Sequence, residues 1–62
     1  MSPAAAILQY LKSHGTISLK AAVDLIRPNV CYPYHATTGL LNSLKEKGSL
    51  WEFSPGNYRA KS

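Results

Sequence analysis

Apolar residues fall along this chain in three stretches of helical spacing, followed by one stretch that alternates. In "SPAAAILQYLKSHG", Ala4, Ile7, Leu8 and Leu11 recur three and four apart and so line one side of a helix, while Gln9, Lys12 and Ser13 fall toward water. Ser2 can cap this helix, and Pro3 stands at the first helical position, where its missing N–H costs nothing. Gly15 supplies the left-handed residue that ends the run. The pattern predicts a helix over 3–14, with Tyr10 and His14, four apart, flanking its inward stripe. "TIS" is too short for an independent strand but can pair with the edge of a later hairpin, with Ile17 inward. Ser18 then caps a second helix over 19–26, whose apolar face is Leu19, Ala22, Val23 and Ile26.

"RPNVCYPY" breaks the periodicity, because each proline disfavours helical geometry in the residue before it, so a turn or loop is expected. A third helix follows over about 34–47, with Leu40, Leu41 and Leu44 inward, Thr37 or Ala36 completing the stripe, and Gly48 closing it. Its other face is left with Tyr34, His35, Thr38, Asn42 and Lys45. Gly39 sits mid-helix at a cost of about 1 kcal/mol against alanine, which points to close approach of a neighbouring helix or of an outside partner. Beyond Gly48, "SLWEF", "SPGN" and "YRA" read as strand, turn and returning strand, a hairpin over about 49–60. Strand parity sets Leu50 and Glu52 against Trp51 and Phe53. Either a large aromatic is exposed or a bulge re-aims the strand.

Sixty-two residues bound the chain to a single domain, 1–62, with a small core. With 45% hydrophobic and 16% charged residues, that domain is a compact globule and not a disordered tail. Cys31 is the only cysteine, so no internal disulfide and no cysteine-based zinc cage can form; it is expected to be a small apolar filler. No apolar run approaches the roughly 20 residues that span a bilayer. "AAAIL" is too short for a signal peptide and lacks its basic flank, so a soluble, cytoplasmic protein is expected. Seven Lys and Arg against three acids leave a net charge of +4, which favours polyanionic partners through counterion release.

The order helix, short strand, helix, helix, hairpin resembles the winged helix-turn-helix superfamily over nearly the whole chain, Ala4 to Ala60. "LLNSLKEKGSLWE" is similar to that family's exit from the recognition helix into the wing, and "PGNYR" to its wing return. The resemblance implies an α+β fold that is mainly α, three helices with a two- or three-stranded antiparallel wing. It also implies a non-enzymatic protein that binds double-stranded DNA with the third helix in the major groove. Two departures bear on this: "RPNVCYPY" is longer and more aromatic than the family's inter-helix turn, and the wing turn "SPGN" is short.

The residues agree with the absence of chemistry. Asp24, Glu46 and Glu52 lie on three different elements, His14 and His35 are isolated, and there is no glycine-rich phosphate cradle, so neither catalysis nor a cofactor is expected. On the third helix, Asn42 can grip adenine, Thr38 can meet a thymine methyl or a phosphate, and Tyr34 and His35 complete a face free of acids before Glu46. Tyr32 and Tyr34 stand at the helix N-terminus, where phenols can bond phosphate, although at least one ring is expected to roof the core. Lys20, Lys45, Lys47, Arg59 and Lys61 are the candidate phosphate clamps, expected to surround one binding face. Trp51 either plugs the core or makes an exposed contact. A transcriptional regulator or accessory DNA-binding factor is the role this implies, with a second copy or a larger protein adding the contact area that one small unit lacks. The rival is a protein-docking module built on Trp51, Phe53, Tyr32 and Tyr34, and a third reading stacks single-stranded nucleic acid on the tyrosines and Trp51.

Overall fold

The computed structural model describes residues 2–61. Its elements follow in the order α1 (Pro3–His14), β1 (Thr16–Ser18), α2 (Leu19–Ile26), a 3-10 turn (Arg27–Asn29), α3 (Pro33–Glu46), β2 (Leu50–Ser54) and β3 (Asn57–Ala60). Three α-helices therefore pack with one three-stranded antiparallel sheet, in the strand order β1-β3-β2.

The helix ends follow from local chemistry. Ser2 Oγ accepts the Ala5 N–H at 3.2 Å, and Ser18 Oγ accepts the Ala21 N–H at 3.1 Å, so each hydroxyl satisfies a donor that its helix leaves orphaned. At the end of α3, Gly48 takes φ +82°. Its N–H reaches Lys45 O at 3.0 Å while the Ser49 N–H reaches Leu44 O at 2.9 Å, a Schellman closure that turns the chain directly into β2. Of "RPNVCYPY", the first three residues continue α2 as a 3-10 turn, and the second proline opens α3 one residue earlier than periodicity predicts.

Ile7, Leu11, Ile17, Ala22, Ile26, Leu41, Leu44, Leu50 and Tyr58 form the core, so every α-helix and every strand contributes. Two expectations about the apolar faces change, and one left open is settled. Leu8 is exposed, because α1 is covered on the side of Ile7 and Leu11 alone. Val23 is half-buried and lies outside the packed cluster, while Ala21 and Leu25 lean against it. Leu40 is only partly buried, and Thr37 rather than the exposed Ala36 completes the stripe of α3. Tyr10 packs on the core edge and stacks on the exposed His14, with ring centroids 4.0 Å apart.

The sheet register carries one irregularity. β1 pairs with β3 as Thr16↔Arg59, Ile17↔Tyr58 and Ser18↔Asn57. β2 pairs with β3 as Leu50↔Ala60, Trp51↔Arg59 and Glu52↔Tyr58, then shifts so that Ser54 faces Asn57. Phe53 is therefore the additional residue of a β-bulge.

Thr37 is fully buried, and among the described residues its hydroxyl finds no partner. A buried hydroxyl without a hydrogen bond costs about 1–3 kcal/mol, so Thr37→Val should raise the stability by about 1 kcal/mol in urea unfolding. Leu41→Ala, at an equally buried position on the same helix, should cost about 2–5 kcal/mol in the same measurement.

Candidate nucleic-acid interface

The outward side of α3 is assembled by its helical period. His35, Gly39 and Asn42 recur four and three apart along its middle, all exposed, with Glu46 one turn further on and Thr38 and Lys45 on the flank toward β2. Among the described residues the side chains of His35 and Asn42 make no hydrogen bond or ion pair, and Thr38 spends its proton on His35 O at 3.2 Å. No atom lies within 4 Å of where a Cβ on Gly39 would stand. Approach of a neighbouring helix therefore does not explain this glycine, and the surface between His35 and Asn42 is open to an outside partner.

At the start of α3 no side chain caps the helix and the first turn holds no acid, which leaves the positive end of the helix dipole open. Tyr32 and Tyr34 are 74% and 59% exposed, so neither ring roofs the core. Tyr32 lies before the helix, and Tyr34 sits in its first turn, where no preceding turn exists to pack beneath it. Tyr34 meets His35 edge to face at 6.4 Å. Cys31 is also exposed and fills no space in the core, because it lies in the bend ahead of α3.

The cations do not surround one face. Lys45 Nζ is bound to Glu52 Oε1 at 3.0 Å, so the charge expected to hold a phosphate is already partnered. The other carboxylate oxygen, Oε2, accepts the Gly56 N–H at 2.8 Å. Gly56 O in turn accepts the Leu19 N–H at 2.8 Å. One continuous chain of polar contacts thus joins α3, β2, the hairpin turn and the start of α2. The turn is held down against α2 and does not project, and this brings the exposed Lys20, next to Leu19, alongside the hairpin tip. Gly56 and then Lys45 hold the Glu52 carboxyl below the usual glutamate range, and the bond to Glu52 raises Lys45. Burial, with the negative charge of Glu52 adding to it, raises the Tyr58 phenol.

The bulge at Phe53 gives the sheet two unlike faces. Leu50, Glu52 and Tyr58 turn toward the helices, and Trp51, Phe53 and Arg59 turn away from them. Trp51 and Phe53, 45% and 42% exposed, meet edge to face at 6.1 Å, and the Arg59 guanidinium carbon lies 5.9 Å from the Trp51 ring centre. Trp51 is thus no core plug, and both alternatives left open by strand parity hold, an exposed aromatic face and a bulge. Lys61 directly follows β3 and is exposed, its N–H bonded to Ser49 O at 3.0 Å. Tyr34 lies in the first turn of α3 and Tyr32 just before it. The four aromatics expected to form one docking surface are therefore divided between the outer side of the sheet and the start of α3.

Sequence reasoning missed the part played by Glu52. Its partners lie seven residues before it on α3 and four after it in the hairpin turn, so no periodicity within one element relates the three. Among the described residues no group of three or more His, Cys, Asp or Glu is placed to hold a metal ion, and no helix is long and apolar enough to cross a membrane. No protein-family model, no curated protein and no solved structure matches the chain.

A carboxyl held below its ordinary value, roughly 4.3 for glutamate, adds stability that is complete above that value and is lost as the pH falls through the lower folded value. Thermal unfolding followed from pH 6 down to about pH 3 should therefore show a wild-type Tm that drops faster below about pH 4.5 than that of Glu52→Gln. Parallel profiles would exclude Glu52 as the anchor of the hairpin.

Proposed function

We propose that the chain is a winged helix-turn-helix domain that binds double-stranded DNA and catalyses no reaction. The observation that carries this reading is the outward face of α3 from Tyr34 to Asn42, acid-free, exposed except at the half-buried Thr38, and without side-chain hydrogen bonds or ion pairs at His35 and Asn42 among the described residues. A solvated helix face ordinarily carries acids and i, i+4 ion pairs, whereas a helix that enters the major groove needs neutral donors and acceptors free to meet base edges.

The element order and the β1-β3-β2 sheet support the same reading. Asn42 can bond adenine in bidentate fashion, Thr38 offers a methyl for thymine, and His35 can donate to or accept from a base edge. Gly39 lets the helix axis approach the groove floor. Tyr32 and Tyr34, beside the uncapped helix start, and Lys20, beside the hairpin tip, serve as phosphate contacts on either side of it. The tied-down turn makes the hairpin a short wing that steadies the domain along the backbone and stays out of the minor groove. With few free cations on this side, one copy binds weakly, so a second copy or a larger protein supplies the remaining contacts. A transcriptional regulator or accessory DNA-binding factor inside the cell is the role that fits.

Amide NMR titration with a mixed-sequence duplex should shift signals over residues 32–45 and around Lys20, and the shifts should shrink as salt is raised from 50 to 200 mM. Changing His35, Thr38 and Asn42 together to Ala should weaken binding by about tenfold or more with the fold intact. Unchanged affinity in that triple variant would rule out α3 as the reader.

A further inference from the structure

The outer face of the sheet is not used by the duplex reading, since Trp51, Phe53 and Arg59 point away from the helices. We propose that this face is a second binding surface, for single-stranded nucleic acid: an unpaired base stacks on the Trp51–Phe53 pair, and the adjoining phosphates bind Arg59 and Lys61. The inference goes beyond the duplex reading and does not depend on it.

Charge selects the partner. The chain has three acids, and none lies on this face: Asp24 is on α2, 3.8 Å from Arg27, Glu46 ends α3, and Glu52 turns to the inner side, where Lys45 and Gly56 hold it. Arg59 occupies the central strand, with Thr16 opposite it on β1 and Trp51 opposite it on β2. A row of hydroxyl, guanidinium and indole therefore crosses the sheet. The surface is cationic and aromatic and complements a polyanion that carries planar rings.

Size selects between a nucleic acid and a folded protein. The two half-exposed rings together offer on the order of 200 Å² of contact surface, against about 800 Å² per partner for a standard protein interface. One or two bases need no more than that. The rings are inclined at 63°, so a base lying flat on one presents its edge to the other, an arrangement that holds a single base and does not intercalate a duplex step. Stacking of this kind tolerates any base, because every base has a π face.

Trp51 is the chain's only tryptophan, so its emission reports on this face directly. Titration with a short oligothymidylate at low salt should quench it, and the His35, Thr38 and Asn42 triple alanine variant should be quenched equally. Phe53→Ala should weaken binding roughly 5- to 150-fold, the range of one base stacked on one aromatic. With a dye-labelled oligothymidylate followed by anisotropy, Trp51→Ala should lose affinity to a similar degree and Trp51→Phe should keep most of it. If Trp51→Ala does not fold, the wild-type quenching and Trp51→Phe decide the matter. Absence of quenching, or equal affinity in Trp51→Ala, overturns the proposal. Quenching of the same strength by polyglutamate would assign the face to an acidic polypeptide and overturn it too. Quenching of the same strength by a duplex would merge this face with the duplex site, so the proposal would fail while the duplex reading survived.

Discussion

The additional residue at Phe53 decides which side of the hairpin faces the helices. With Pro55 and Gly56 as the turn and no bulge, Ser54 would pair with Asn57 and Phe53 with Tyr58, on the same side of the sheet. Tyr58 is buried, so Phe53 would enter the core and Glu52 would leave it. The bulge slips β2 by one residue, sets Glu52 opposite Tyr58 and turns Trp51 and Phe53 to solvent. Because the side-chain period of a strand is two, a slip of one residue inverts every side chain beyond it.

Both candidate surfaces follow from that inversion. On the inner side, Glu52 reaches Lys45 and Gly56 and fixes the hairpin against α3 and α2. The interaction removes one lysine from the set available to phosphate, and it holds the hairpin tip next to Lys20. On the outer side, Trp51 comes opposite Arg59, and two aromatics join a guanidinium on a face without acids. A net charge of +4 is thus distributed unevenly. α3 presents a largely neutral face of hydrogen-bonding side chains, while the outer side of the sheet presents a cationic, aromatic one.

The small core leaves little redundancy. Nine buried apolar residues drawn from all six regular elements hold the domain together, and neither a disulfide nor a metal cluster among the described residues adds to them. This scale explains why the apolar stripes read from sequence are wider than those observed. Leu8 and Val23 have helical spacing but too few neighbouring elements to cover them. It also gives weight to Thr37, a polar residue placed where only an apolar one has a partner.

The three helices, the serine caps of α1 and α2, the glycines that end α1 and α3, and the pairing of Thr16–Ser18 with the hairpin were determined by the sequence alone. The helices and their ends depend on contacts between residues a few positions apart, or on periodicity within one element, and the strand pairing follows from a short strand being unable to stand alone. The outward face of α3 was legible for the same reason, since His35, Thr38 and Asn42 are related by one helix. Tertiary structure decided the rest: the exposure of Tyr32, Tyr34 and Cys31, the pairing of Lys45 with Glu52, and the division of the cations and aromatics between two faces. Each depends on the strand register and on which elements lie over which. A single inserted residue reverses that register without altering the composition or the helical periodicity of the chain.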